Sequence, residues 1–152
     1  MHILVLSDNF MPLSNAERVA YLMTREYVNL GHQVSVITID TKLKNGKVNK
    51  LNYNGFTIYQ IGSSYNRYLI AYLSLYNPWV LKSIKLILKD NEFNFVHLHN
   101  IHAHISYAVI SLLKSLDINQ IMTAHDYMSI DYGKFSQGIK PDDLSENVRI
   151  NP

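Results

Sequence analysis

The sequence contains no cysteine, little charge and no long hydrophobic run. The absence of cysteine excludes a disulfide scaffold, a thiol nucleophile and any zinc or iron–sulfur site with cysteine ligands. No stretch of about 18 uncharged apolar residues occurs, so no membrane-spanning helix is predicted. The apolar run Ile3-Leu4-Val5-Leu6 begins almost at Met1, without a basic leader or a cleavage site, which argues against a secretion signal, and we expect a cytoplasmic protein.

Several nucleotide and catalytic motifs are missing as well. The sequence has no Gly-x-Gly-x-x-Gly, no P-loop and no serine nucleophile elbow. These absences disfavour a nicotinamide or flavin enzyme, a P-loop nucleotide site and a serine hydrolase, and we expect no cofactor. The 14 Lys and Arg residues against 12 Asp and Glu residues give a net charge of +2, which is too weakly basic to predict a nucleic-acid partner.

Apolar residues are plentiful and regularly spaced. The 152 residues are 47% hydrophobic and 17% charged, which is enough for one folded domain with a sizeable core. Short apolar runs alternate with helical patterns, as in a doubly wound α/β sheet. The predicted strands are 2–7, 33–39, 56–61, 95–98 and 120–123, and the predicted helices are 16–30, 63–88 with a break at Asn77-Pro78, and 105–116.

The pattern also predicts how the strands are arranged. We expect a Rossmann-like, mostly parallel five-stranded sheet in the order third, second, first, fourth, fifth strand. Residues 40–50 are rich in lysine and asparagine and are interpreted as a solvated loop. Hydrophobic content falls after Tyr132, so we expect the domain to span residues 1–132 and a loop or tail to span residues 133–152.

A ligand site is expected where the strand order reverses, because such sheets bind ligands beyond the carboxyl ends of their strands. Three predicted loops meet there: 8–15, 99–104 and 124–127. Five of the seven histidines lie on or beside these loops, namely His97, His99, His102, His104 and His125. Histidine exchanges protons near neutral pH, so this coincidence points to the site.

Less specific interpretations of the same residues remain open. His97 and His99 alternate on one strand, and His97 is better explained as a hydrogen-bonded interior residue. The four histidines between 97 and 104 resemble a metal cluster, but no carboxylate lies among them and Asp126 would have to complete it, so no metal site is predicted. Ser14 and Asn15 precede a helix whose N-terminus would suit a phosphate, although either residue could simply cap the helix.

Three segments together resemble a known family. The first segment, residues 1–39, combines a buried strand, a Pro-containing loop, a helix that starts with Ala-Glu-Arg-Val, and the motif Gly-His-x-Val-x-Val-x-Thr. The second segment, residues 95–102, reads Phe-Val-His-Leu-His-Asn-Ile-His. The third, residues 123–127, reads Thr-Ala-His-Asp-Tyr. In this order and spacing, over about residues 1–130, the chain resembles the N-terminal half of a two-domain (GT-B) retaining glycosyltransferase of family four.

The resemblance implies roles for individual residues. The loop after the first strand, with Ser14 and Asn15, would approach the donor diphosphate. His125 would lie beside the transferred sugar, with Asp126 orienting it or contacting acceptor hydroxyls. The acceptor would be bound mainly by this domain, through His99, Asn100, His102 and Tyr127. The resemblance thus implies transfer of a sugar from a nucleotide sugar to a polysaccharide or lipid-linked acceptor.

Two departures from the family pattern qualify this implication. Members usually have Gly-Gly where this chain has Ser14-Asn15, and side chains there narrow the approach of a phosphate to the backbone. The donor-binding second domain is absent from these 152 residues, so we expect the chain alone to be inactive unless the rest of a longer protein or a partner subunit completes it. The alternatives are a non-catalytic sugar- or nucleotide-binding module and a histidine-rich metalloenzyme.

The segment 65–89 predicts peripheral contact with the inner face of a membrane. It combines many aromatic residues with Lys82, Lys85 and Lys89, which recur at helical spacing beside the only tryptophan. The competing interpretation is that Val80, Ile84 and Ile87 form an apolar face that covers the sheet, with the lysines merely solvated.

Overall fold

The computed structural model describes residues 1–10, 15–65 and 67–125. Within them, six strands form one sheet in the order β3-β4-β2-β1-β5-β6. All neighbours are parallel except β3, which runs antiparallel to β4. The strands are β1 His2–Leu6, β2 Gln33–Asp40, β3 Val48–Tyr53, β4 Phe56–Gly62, β5 Phe95–Leu98 and β6 Gln120–Met122. The α/β class, the five predicted strands and their relative order are confirmed.

The sheet has one strand more than the sequence predicted. β3 occupies part of the segment interpreted as a loop, and it forms a hairpin with β4 through the predicted turn at Asn54-Gly55. Both turn residues have positive φ, 48° and 86°, as a two-residue hairpin turn requires. β3 lies at the sheet edge and only Leu51 is half-buried, so the strand shows no alternation of apolar and polar residues. This lack of pattern explains why it was missed.

Helices cover both faces of the sheet. They are α1 Asn15–Asn29, α2 Ile70–Leu75 after a 3₁₀ turn at Arg67–Leu69, α3 Pro78–Asp90 and α4 Ala108–Ser115. The predicted break is confirmed, because Asn77 Oδ1 accepts from the Val80 N–H at 3.4 Å and Pro78 opens α3. Among the described residues, no helix is long and apolar enough to cross a membrane.

β1 is buried on both faces, as its continuous apolar run predicted. Ile3 and Val5 pack toward α1, and Leu4 and Leu6 pack toward α3 and α4. The chain reverses its winding between β1 and β5, so the loops that follow these two strands meet at the carboxyl edge of the sheet, where the parallel strands end. This is where the candidate site lies.

Candidate functional site

The loops at the carboxyl edge are joined by hydrogen bonds that continue the strand ladders. The His99 N–H donates to the Leu6 carbonyl at 2.9 Å, and the Asp8 N–H donates to the Asn100 carbonyl at 2.6 Å. The Thr123 N–H donates to the Leu98 carbonyl at 2.9 Å. These bonds hold the starts of the loops after β1, β5 and β6 side by side, as the sequence predicted.

Asp8 connects these loops through its side chain. The carboxylate accepts hydrogen bonds from the backbone N–H groups of Ala103 at 2.7 Å, His104 at 3.0 Å and Ile105 at 2.7 Å. Burial raises the pKa of Asp8, and the three N–H donors oppose that rise. A group that faces only donors is best satisfied as a carboxylate, so Asp8 holds the loop between β5 and α4 as a buried anion.

The Asp8 backbone carbonyl is hydrogen-bonded to the carboxyl end of strand β2. It accepts from the Ile39 N–H at 3.1 Å and from the Thr38 hydroxyl at 3.2 Å, at the end of β2. Sequence reasoning did not single out Asp8. The available signal was an acidic residue directly after a fully buried strand, since buried carboxylates need dedicated partners.

His97 is an interior residue, as predicted. Its side chain is buried and both ring nitrogens have hydroxyl partners: Nδ1 pairs with Tyr27 at 2.9 Å and Nε2 with Thr123 at 2.8 Å. Burial, with a smaller contribution from His125, lowers the pKa of His97. His97 is therefore neutral at physiological pH and helps to join α1, β5 and the end of β6.

His99 and His125 form a direct pair. His99 Nδ1 lies 2.8 Å from His125 Nε2, and the two rings are stacked at 17° with their centroids 5.1 Å apart. His99 is only 1% exposed, whereas His125 is half-buried. Burial, followed by His97 and His125, lowers the pKa of His99 to about 3. The pair thus has a neutral inner member and an outer member within reach of the surface.

The remaining predicted histidines lie in the loop between β5 and α4. His104 Nδ1 pairs with the Ser63 hydroxyl at 3.1 Å, and its ring packs on Tyr65 with centroids 4.5 Å apart. Burial lowers the pKa of His104, and the charge of Asp8 opposes that change. Asn100 and His102 are both half-buried in the same loop.

Four predicted site residues are not placed in full. Ser14, Asp126 and Tyr127 lie outside the described residues, as does the predicted tail over 133–152. Asn15 begins α1, but its side chain is outside the description. In the described ranges 1–10, 15–65 and 67–125, no group of three or more His, Asp or Glu residues is arranged to hold a metal ion.

A groove of about 350 Å³ opens on the other side of the loop after β1, at the ends of β2 and β4. Its lining includes Phe10, Ile39 and Ile58, with Asn9, Glu17 and Gln60 as polar groups. The groove and the histidine pair thus flank one loop. Burial lowers the pKa of His99 and of the neighbouring His97, so the pair is the stronger candidate for the site of the chemistry.

The strand order and its reversal between β1 and β5 define a Rossmann-like domain of the doubly wound α/β class. The chain belongs to Glycosyltransferase Family 4, whose model matches residues 16–145. This membership confirms the family resemblance. No curated protein sequence matches the chain.

A solved structure shares the fold of this chain. Sucrose-phosphate synthase from Thermosynechococcus elongatus is similar with a TM-score of 0.56 and 13% identity, over 93% of this chain and 36% of that one. A structure described as trehalose-6-phosphate from E. coli bound with UDP-2-fluoro glucose gives a TM-score of 0.49 and 12% identity, over 82% of this chain and 32% of that one. The chain therefore spans about a third of the length of these structures.

Proposed function

We propose that this chain is the acceptor-side domain of a retaining glycosyltransferase that moves a sugar from a nucleotide sugar to a polysaccharide or lipid-linked acceptor. The observation that carries the proposal is the placement of His125, half-buried beyond β6 and hydrogen-bonded to His99 where the winding of the sheet reverses. Membership of Glycosyltransferase Family 4 supplies the reaction class.

Catalysis in this proposal is mainly positioning and electrostatic stabilisation. His125 donates a hydrogen bond to the transferred sugar, so that the ring is held while charge develops on the anomeric carbon and the leaving diphosphate. Asp126 orients His125 or binds an acceptor hydroxyl. Asn100 and His102 line the acceptor cleft with Tyr127, and Ser14 and Asn15 face the donor phosphates. The nucleotide sugar is held chiefly by a second domain outside these 152 residues.

His99 takes a different part from the one the resemblance implied. Because its ring is 1% exposed and already paired with His125, it supports the acceptor cleft from beneath rather than by direct contact. In this interpretation, the surface of the cleft is formed by half-buried side chains such as Asn100 and His102.

The same proposal includes contact with an anionic membrane. The apolar face of α3 is used in the core, because Val80, Ile84 and Ile87 are buried against the sheet. A different surface is available for lipid, which we call the aromatic patch; it consists of Tyr68, Leu69, Ile70, Tyr72, Leu75, Tyr76 and Trp79, all substantially exposed. Lys82, Lys85 and Lys89 are exposed on α3 next to it. Exposed aromatics beside lysines suit the headgroup level of an anionic bilayer.

Transfer is tested on the full-length native protein with a panel of nucleotide sugars and lipid-linked or oligosaccharide acceptors, by measuring nucleoside diphosphate release that depends on acceptor. We expect His125→Ala to lower kcat by about 10²-fold, as the loss of one donor at a developing charge does. His32→Ala is the matched control, because His32 precedes β2 at the opposite edge of the sheet. Normal turnover by His125→Ala would show that the role of His125 is wrongly assigned.

A further inference from the structure

The His99–His125 pair contains an unusual buried atom. His99 Nδ1 contacts His125 Nε2 at 2.8 Å, but His99 Nε2 is buried and has no hydrogen-bond partner among the residues that the structure describes. The two nitrogens of one ring therefore have very different surroundings. That difference decides which of them carries the proton.

His99 has a single ring proton near neutral pH, because its pKa is lowered to about 3. If the proton were on Nε2, a buried N–H donor would have no acceptor, which costs more than a bare nitrogen in an apolar site. On Nδ1, the same proton is donated to His125 Nε2. The favoured state of His99 is thus protonated at Nδ1.

This state of His99 constrains His125 in turn. Since His125 Nε2 accepts a hydrogen bond, it carries no proton, and the proton of a neutral His125 must be on Nδ1. A second proton on His125 would place two N–H groups against each other across 2.8 Å. We propose that His99 is a positioning residue that fixes His125 as the neutral tautomer protonated at Nδ1, so that Nδ1–H is the donor offered to a ligand.

The surroundings of His99 keep its ring in place. His97 packs against it with ring centroids 4.1 Å apart and is itself held by Tyr27 and Thr123. Because both partners of His97 are hydroxyl groups, which can donate or accept, they impose no tautomer on that ring. Among the described residues, the constraint on the proton therefore arises between His99 and His125.

The tautomer is measured directly by NMR on the full-length protein with ¹⁵N-labelled histidine. Long-range ¹H–¹⁵N correlations at pH 7.5 distinguish the two neutral forms, and His125→Gln assigns the signals. We expect wild-type His125 to be protonated at Nδ1, which is the minor form of free histidine. In His99→Phe, which keeps a ring but removes the donor, we expect His125 to revert to the Nε2–H form.

Two further variants separate positioning from packing. His99→Asn keeps a side-chain N–H near the place of Nδ1 and is expected to retain the Nδ1–H form of His125, whereas His32→Phe is the control away from the pair. A wild-type His125 protonated at Nε2 would overturn the inference, and so would a His99→Phe variant with an unchanged His125 tautomer. The wild-type spectrum alone tests which nitrogen of His125 carries the proton, even if His99→Phe does not fold.

The consequence for turnover rests on the proposed function. We expect His99→Phe to lower kcat roughly 10- to 100-fold with little change in KM, and His99→Asn to recover part of the loss, since a misplaced catalytic group costs rate more than binding. The NMR result needs no substrate. A protein with no transferase activity but with His125 protonated at Nδ1 would refute the proposed function and leave this inference intact.

Discussion

Asp8 shows how much of the site depends on one buried carboxylate. It is 3% exposed and has no cationic partner that contacts its oxygens among the described residues; three backbone N–H groups compensate for its burial instead. This hydrogen-bonded arrangement is favourable only while every N–H donor has an acceptor, because a buried donor without one loses its hydrogen bonds to water and gains none in the protein. Asp8 is therefore a structural requirement for the loop between β5 and α4.

We predict that Asp8→Ala lowers the free energy of unfolding by about 3 kcal/mol, because it leaves one buried and two partly buried N–H groups without an acceptor. Asp8→Asn should cost less, about 2 kcal/mol, because its carbonyl oxygen still accepts from His104 and Ile105. Urea denaturation with a shared m-value measures both. Asp90→Asn, at the exposed end of α3, is the charge-matched control, and equal midpoints for all four proteins would contradict the prediction.

A second prediction concerns His99 and the loss of folding stability at acidic pH. Its pKa is about 3 in the folded protein and 6.5 when unperturbed, so the unfolded chain binds more protons between these values and stability falls as the pH is lowered through that window. The expected loss is about 2 kcal/mol between pH 7.5 and pH 5, at 1.36 kcal/mol for each pH unit below 6.5.

His99→Phe tests the origin of that loss, because phenylalanine does not titrate. Its free energy of unfolding should depend less on pH over the same window, whatever its absolute value, while His32→Phe should follow the wild type. Urea titrations at several pH values measure the slope. A His99→Phe slope equal to that of the wild type would show that other groups cause the acid sensitivity.

The sequence predicted where the histidines lie but not how they pair. Strand order and loop positions brought His97, His99 and His125 to one edge, because adjacent parallel strands end together. The contact between His99 and His125 depends on ring orientation one residue beyond β5, which periodicity does not report. Asp8 was missed for the same reason, since its partners are backbone groups about 95 residues away in the chain.

At the scale of elements, the sequence predicted the strands that have a regular burial pattern but did not predict which residues of the other elements are exposed. The interior strands have apolar runs, whereas β3 is an exposed edge strand whose pairing with β4 follows from the Asn54-Gly55 turn. Burial on α1 does not follow residue type either, because Val19 is 40% exposed while Thr24 is fully buried. Thr24 fits there because its hydroxyl donates to the Ala20 carbonyl at 2.8 Å.

The aromatic patch gives a prediction for α2 and α3. We expect the full-length protein to sediment with anionic vesicles but not with neutral ones, and less at high salt, because each lysine near the surface contributes about 1 kcal/mol. Replacing Lys82, Lys85 and Lys89 together by Gln should weaken binding to the anionic vesicles. The control replaces Lys42, Lys44 and Lys47, which are exposed in the segment between β2 and β3. Failure to sediment with both vesicle types would leave α3 as a cover for the sheet alone.

At the scale of the whole molecule, the described residues have what an independently folding unit needs. Apolar clusters fill both faces of the sheet, and most residues of β1, β2 and β4 are buried. The same residues span only 36% of the sucrose-phosphate synthase that shares the fold. In our proposal, transfer therefore requires residues beyond this chain, whereas folding does not.

The last prediction follows from that difference. We expect the 152-residue chain, expressed alone, to unfold cooperatively in urea and yet to transfer no sugar, because the family resemblance assigns the nucleotide sugar mainly to a second domain. Cooperative unfolding is followed by circular dichroism, and transfer by the acceptor-dependent release of nucleoside diphosphate, with the full-length protein as the positive control. If the chain alone turned over, and the rate fell about 10²-fold in His125→Ala, a contaminating enzyme would be excluded and the whole donor site would have to lie within these residues.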